Sequence, residues 1–183
     1  MKVLVVVDMQ NDFITGSLGT PEAQAIVPNV KKKIEECRNN GDTVIFTRDT
    51  HEVGYLDTRE GKKLPVEHCI KGTYGWQIAD GLVKDDIFGD DIIINKSTFG
   101  SNDLVSYLNQ QFWYSGGDRF TEIELVGLCT DICVVSNALL LKATFYNDCD
   151  ISVDATCCAG VTPETHEAAL KTMEMCHINV KRG

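Results

Sequence analysis

Cys133 stands in the stretch GLCTDICVVSNALLLKA, residues 127–143, four positions after Cys129. A cysteine in the first turn of a helix feels the positive end of the dipole and exposed N–H groups, which favour the reactive thiolate. The same N–H groups can stabilise an oxyanion. Two further residues follow apolar runs elsewhere in the chain: Asp8 after VLVVV (3–7) and Lys96 after DIIIN (91–95). An aspartate can take the thiol proton and return it to a leaving group, and a lysine adds positive charge. Together the three suit acyl transfer at an amide carbon. The bland alternative is a buried helix cysteine, a capping aspartate and a surface lysine. What favours chemistry is joint placement: each residue lies just past an expected strand, where parallel α/β sheets bind ligands.

Short β-branched runs alternate with helical stretches. The expected strands are 3–7, 43–47, 91–95, 122–127, 150–154 and 177–180. VLVVV is apolar throughout, as in a strand buried on both faces. Thr20-Pro21-Glu22 starts a helix that runs to about Asn39, with an interruption near Pro28 and Gly41 as its end. Ser101 caps a helix over DLVSYLNQ. Another helix runs from about Asp131 to Ala143, and Pro163 opens one over ETHEAALKTMEM. The expected fold is a Rossmann-like three-layer α/β/α sandwich, with six strands in a mostly parallel sheet and all 183 residues in one domain. Residues 48–77 break the alternation. A loop this long in a compact domain is usually functional or disordered. Residues 110–120 read as a surface connection.

The formal net charge of −10 argues against nucleic acid or anionic membrane as a main partner. The apolar N-terminal run is too short for a signal peptide or a membrane span, so a cytoplasmic protein is expected. There thiols stay reduced, and among the eight cysteines Cys37, Cys149, Cys157, Cys158 and Cys176 read as small buried apolar side chains. No CxxC pair suggests a zinc ribbon. His166 reads as a helix-surface residue and His177 as the start of a strand.

Five motifs carry a resemblance: VVVDMQNDF (5–13), the DTH of TRDTH (47–51), EHCIKGTYG (67–75), INKSTFGS (94–101) and VGLCTDICV (126–134). In this order they resemble the isochorismatase-like cysteine hydrolases, and within them the nicotinamidases. The resemblance implies a triad of Asp8, Lys96 and Cys133, with Cys133 as nucleophile in covalent hydrolysis of an amide. It also implies a cis peptide bond at Leu128–Cys129 and an oxyanion hole from the backbone amides of Cys129 and Cys133. It implies a divalent metal, zinc or a similar transition ion, on Asp49, His51 and His68. Glu60 is the candidate fourth ligand and Glu67 its competitor. The metal would anchor a pyridine nitrogen while the cysteine does the chemistry. Phe13 matches a family aromatic that packs on the substrate ring, with Trp76 and Phe99 as further wall candidates and core packing as the alternative for all three. One departure is LPVEH (64–68), where many nicotinamidases have W-P-x-H: Leu64 replaces the aromatic and one residue is added. The expected substrate is nicotinamide, released as nicotinate and ammonia. The alternatives are another small amide or a carbamoyl or ureido compound, and a non-catalytic binding member. Relatives often assemble as dimers or tetramers, so a homo-oligomer is expected.

Overall fold

The structure, a computed structural model, describes residues 1–84, 91–114 and 119–183. Its six strands are β1 (Lys2–Val7), β2 (Thr43–Asp49), β3 (Ile92–Lys96), β4 (Glu122–Leu128), β5 (Asp150–Ala159) and β6 (Asn179–Lys181). They form one sheet in the order β3-β2-β1-β4-β5-β6. Every neighbouring pair is parallel. The expectation of a mostly parallel sheet therefore becomes a fully parallel one. Five helices join the strands: α1 (Asn11–Ile14), α2 (Pro21–Asn39), α3 (Asn102–Tyr114), α4 (Val135–Thr144) and α5 (Pro163–Met175).

Alternate residues of the central strands feed two cores. Val3, Val5 and Val7 pack with Leu104, Leu108 and Phe112 of α3, Ala138 and Leu141 of α4, and Leu170 and Met173 of α5. Leu4 and Val6 pack on the other face with Ile26, Val30 and Ile34 of α2. Both faces of β1 are thus buried, which explains an apolar run without alternation. No helix among the described residues is long and apolar enough to cross a membrane.

Several boundaries differ from expectation. Pro28 does not interrupt α2, which runs unbroken over nineteen residues. The proline sits on the exposed face, so the carbonyl it leaves unbonded faces water. Residues 110–114 belong to α3, and Phe112 and Phe120 are core residues that meet each other and Phe145 edge to face. The rest of the expected connection, residues 115–118, lies outside the described residues. β5 is ten residues long and carries a register shift opposite Leu125 and Gly127. His177 is not in a strand. It turns the chain with φ of 60° before β6 begins at Asn179. Cys176 is exposed, because it follows the last turn of α5, and Cys149 is half-buried, whereas Cys37, Cys157 and Cys158 are buried as expected.

Candidate active site

β1 and β4 are neighbours, and the chain winds outward from them in both directions. That makes their carboxyl ends the switch point of the sheet, where a crevice opens. Asp8 follows β1 directly, in a left-handed backbone conformation with φ of 47° that aspartate tolerates better than most residues. Gly127 in β4 lies alongside. It has φ of 113°, and a Cβ there would sit 2.1 Å from the Val7 carbonyl oxygen. Only glycine lets β4 come this close to the segment bearing Asp8. The Leu128–Cys129 peptide bond is cis.

Lys96, the last residue of β3, reaches over the sheet edge. Its Nζ lies 2.6 Å from Asp8 Oδ2, 3.4 Å from Cys133 Sγ and 3.5 Å from Asp49 Oδ1. All four residues are buried. Thr47 Oγ1 donates to Asp8 Oδ1 at 2.7 Å and fixes the carboxylate from behind. Burial pulls the Lys96 value down, but the charges of Asp8, Cys133 and Asp49 outweigh it and hold the ammonium well above its usual range. Burial raises the Asp8 carboxyl and Asp49 raises it further, while Lys96 and Thr47 oppose them.

Cys133 departs from the sequence argument in one respect. It does not open an α-helix but lies in a π-turn, Thr130–Val134, ahead of α4. Burial pushes its thiol well above the ordinary range, the Asp8 charge adds to this, and Lys96 only partly offsets it. Burial likewise pushes the Cys129 thiol up, to about 12.

Asp49, His51 and His68 converge beside this group. One ligating atom from each lies within 4.8 Å of the others. His51 Nε2 is 3.0 Å and His68 Nε2 3.6 Å from Asp49 Oδ2. His68 Nδ1 lies 2.8 Å from the Val66 carbonyl. That contact fixes Nδ1 as the donor and leaves the Nε2 lone pair facing Asp49. His51 Nε2 is buried and lies 3.0 Å from Asp49 Oδ2, within reach but without a well-aligned hydrogen bond. Burial works against charge on His51, yet the contact with Asp49 outweighs it and raises the ring's value. A buried ring nitrogen without an aligned bond, crowded against a carboxylate that favours positive charge, fits a divalent cation on these three residues. Glu60 stands at the edge of the set, with Oε1 3.8 Å from His51 Nε2 and 4.0 Å from His68 Nε2. Glu67 is exposed.

A cavity of about 300 Å³ opens onto both groups, at the small end of ligand pockets. Phe13, Phe99, Leu64, Leu128 and Ile132 line it, together with Cys129, Cys133, Asp49, Glu60 and His68. Trp76 does not line it. Its indole N–H donates to Thr50 Oγ1 at 2.8 Å, and the Arg48 guanidinium covers its ring at 3.5 Å. Those contacts turn the ring away from the cavity, so Trp76 leaves the list of wall residues.

Sequence reasoning missed the residues that hold the site together. Gln10 donates to the Asp49 carbonyl at 2.8 Å and accepts from the Asp49 N–H at 2.7 Å. Asp12 Oδ2 accepts from the N–H of Cys69, next to His68, at 2.7 Å. Both lie inside VVVDMQNDF, where polar residues after a buried strand were a usable signal. Asn137 is fully buried. It donates to the Cys133 carbonyl at 2.8 Å and accepts from the Ser101 N–H at 2.9 Å. Nothing in a helical stretch marked it.

The chain as a whole is similar to known proteins. Residues 2–181 match the Isochorismatase domain family, and the chain belongs to that family. It is 33% identical to a probable inactive nicotinamidase of Arabidopsis thaliana, covering 97% of this chain and 89% of that one. A pyrazinamidase of Pyrococcus horikoshii solved in complex with zinc superposes with a TM-score of 0.81 at 26% identity, covering 100% of this chain and 99% of that one. An N-carbamoylsarcosine amidase of Thermoplasma acidophilum gives 0.74 at 28% identity, covering 99% and 95%. With nicotinamidases among its relatives and structural neighbours, the chain is an amidohydrolase of the isochorismatase family.

Proposed function

We propose that this protein hydrolyses nicotinamide to nicotinate and ammonia through a thioester on Cys133. One observation carries the reading: Lys96 bridges Asp8 and Cys133 at 2.6 and 3.4 Å, and the cavity onto which Cys133 opens is also lined by Asp49 and His68 of the adjoining Asp49, His51 and His68 set. The zinc in the Pyrococcus horikoshii pyrazinamidase supports the same assignment for the second group.

The steps follow from the placement of Lys96 between Asp8 and Cys133. Cys133 gives its proton to Asp8 as Sγ bonds to the amide carbon, and the carbonyl oxygen takes up the electron pair. The N–H groups of Cys129 and Cys133 stabilise that oxygen. Asp8 passes the proton to nitrogen, the carbon–nitrogen bond breaks, and ammonia leaves. Water then attacks the thioester and gives a proton to Asp8. The carbon–sulfur bond breaks, and Asp8 returns the proton to the thiolate. Lys96 keeps the charge balanced as the proton moves between Asp8 and Cys133. Phe13 and Phe99 pack on the ring. A divalent ion held by Asp49, His51 and His68, with Glu60 at its edge, would supply a Lewis-acid anchor for a ring nitrogen.

A second reading is hydrolysis of a carbamoyl or ureido compound. The likeness to the N-carbamoylsarcosine amidase and the aliphatic Leu64 on the cavity wall favour it. A non-catalytic role has less support, since Asp8, Lys96 and Cys133 are all present and in contact. The deciding experiment measures ammonia release from nicotinamide and from a panel of ureido compounds, with metal content determined on the same sample. A specificity constant for nicotinamide well above all others supports the first reading. Turnover confined to ureido compounds in metal-free protein replaces it with the second.

A further inference from the structure

The turn that carries Cys133 is also fastened by residues of the β5–α5 connection and of α5. In this π-turn the Val134 N–H reaches back five residues to the Cys129 carbonyl at 3.0 Å. Such a turn is wider than an α-helical one, and alone it is rarely stable. Two contacts from the β5–α5 junction hold it. Thr130 is fully buried, and its Oγ1 lies 2.8 Å from His166 Nδ1. Both Asp131 carboxylate oxygens accept from the Val161 N–H at 3.2 Å. Gly160 allows the close approach, since a Cβ there would lie 2.9 Å from both Cβ and N of His166. Burial lowers the His166 value. Glu167 and Asp131 pull it up, and Arg182 acts with burial. A neutral ring leaves Nδ1 free to accept from the Thr130 hydroxyl. The sequence had suggested a helix-surface histidine; instead the ring is half-buried and bonded to the turn that holds the nucleophile.

We infer that His166, acting through Thr130, is a positioning residue for Cys133. It sets the π-turn so that Sγ stays 3.4 Å from Lys96 Nζ. His166 does not line the cavity, so its influence on the reacting atoms runs through the turn. Asn137 in turn ties the Cys133 carbonyl to the segment after Lys96. The nucleophile is therefore held from two directions. The inference rests on Cys133 being the nucleophile, but not on the identity of the amide.

The test compares the parent with His166→Phe, His166→Asn, Thr130→Val and the Thr130→Val/His166→Phe double variant. The readouts are kcat and KM for the best amide, the rate at which iodoacetamide alkylates Cys133 (followed by mass spectrometry), and the circular dichroism of each variant. Displacement of a reacting group by about 1 Å costs on the order of a hundredfold. Thr130→Val and His166→Phe are thus each expected to lower kcat by about ten- to a hundredfold, with KM nearly unchanged. Alkylation of Cys133 should slow in parallel. The double variant should be no worse than the more damaged single one, because both changes break one interaction. His166→Asn should recover most of the rate, since its amide group sits where Nδ1 does. Unchanged kcat and alkylation in Thr130→Val would overturn the inference, as would losses that multiply in the double variant. Should the parent release ammonia from no amide tested, the substrate assignment fails and the alkylation rates still decide the role of His166.

Discussion

Replacing Lys96 by methionine probes the charge balance on which the mechanism depends. The lysine and Asp8 have side-chain exposures of 1% and 0% and sit 2.6 Å apart. Two unit charges at that distance attract by about 6 kcal/mol at an effective dielectric of about 20. The variant removes this attraction and leaves Asp8 buried beside Asp49, which already raises its pKa. Asp8 escapes by taking a proton. At neutral pH, protonating a carboxyl whose ordinary value is 3.8 costs about 4 kcal/mol, and this caps the loss. At about pH 5 the same step costs only about 2 kcal/mol. The folded-state value of Asp8 already lies above its unfolded value in the parent, and losing Lys96 raises it further. The folded variant then binds the extra proton, and the deficit shrinks as pH falls towards the unfolded value. Urea unfolding of parent and variant in the same metal state, at both pH values, measures this. The expected deficit is at most about 4 kcal/mol at neutral pH and about half its neutral-pH size at the lower pH. A neutral-pH deficit below about 1 kcal/mol, the scale of a surface pair, would refute the reasoning. So would a deficit that grows on acidification.

Three more outcomes are expected. His51→Ala should lose most bound metal by elemental analysis and raise KM more than it lowers kcat; unchanged metal content removes His51 from the site. Phe112→Ala takes a 3% exposed ring out of an edge-to-face cluster with Phe120 and Phe145, which should cost about 3–5 kcal/mol in urea unfolding. A cost under about 1 kcal/mol would return residues 110–114 to a surface role. Lys33→Met removes the partner of Asp154 at 2.6 Å. Burial raises the Asp154 carboxyl, but the bonds from Lys33 and Thr156 outweigh it and leave its value lowered. That stability is present above the ordinary carboxyl value and lost as pH falls through the lower folded one. The variant should therefore lie about 1 kcal/mol below the parent at neutral pH, the scale of a partly solvent-screened pair, with the gap closing in acid; a gap independent of pH would show that the pair is not its source.

β1 was legible because it is buried on both faces and apolar throughout, and β2 and β4 because short, mostly apolar β-branched runs stand between helical stretches. The grouping of Asp8, Lys96 and Cys133 was legible because each stands at or just past the carboxyl end of a strand, and the switch point between β1 and β4 brings strand ends together whatever the loops do. The metal-type residues were readable through DTH and the later His68, since the local chain keeps Asp49 and His51 on one rim. What escaped depended on contacts distant in sequence. Trp76 looked like a wall residue, but Thr50 and Arg48 hold its ring elsewhere. The environment of Cys133 was read from an expected helix start and from the charge of Lys96, whereas burial and Asp8 outweigh both and raise the thiol's value. The α3 extension was hidden by the polar run after Tyr114, although Phe112 lies eight residues beyond Leu104 on the same helical face. The roles of Gln10, Asn137 and His166 rest on hydrogen bonds to backbone or side chains many residues away, which local periodicity does not encode.

The most direct test of the central claim is steady-state ammonia release from nicotinamide by the parent protein and by Cys133→Ala, each checked for native circular dichroism. The account predicts release by the parent and none by the variant, with nicotinamide still bound by the variant. Turnover retained in Cys133→Ala would contradict a thioester on this cysteine.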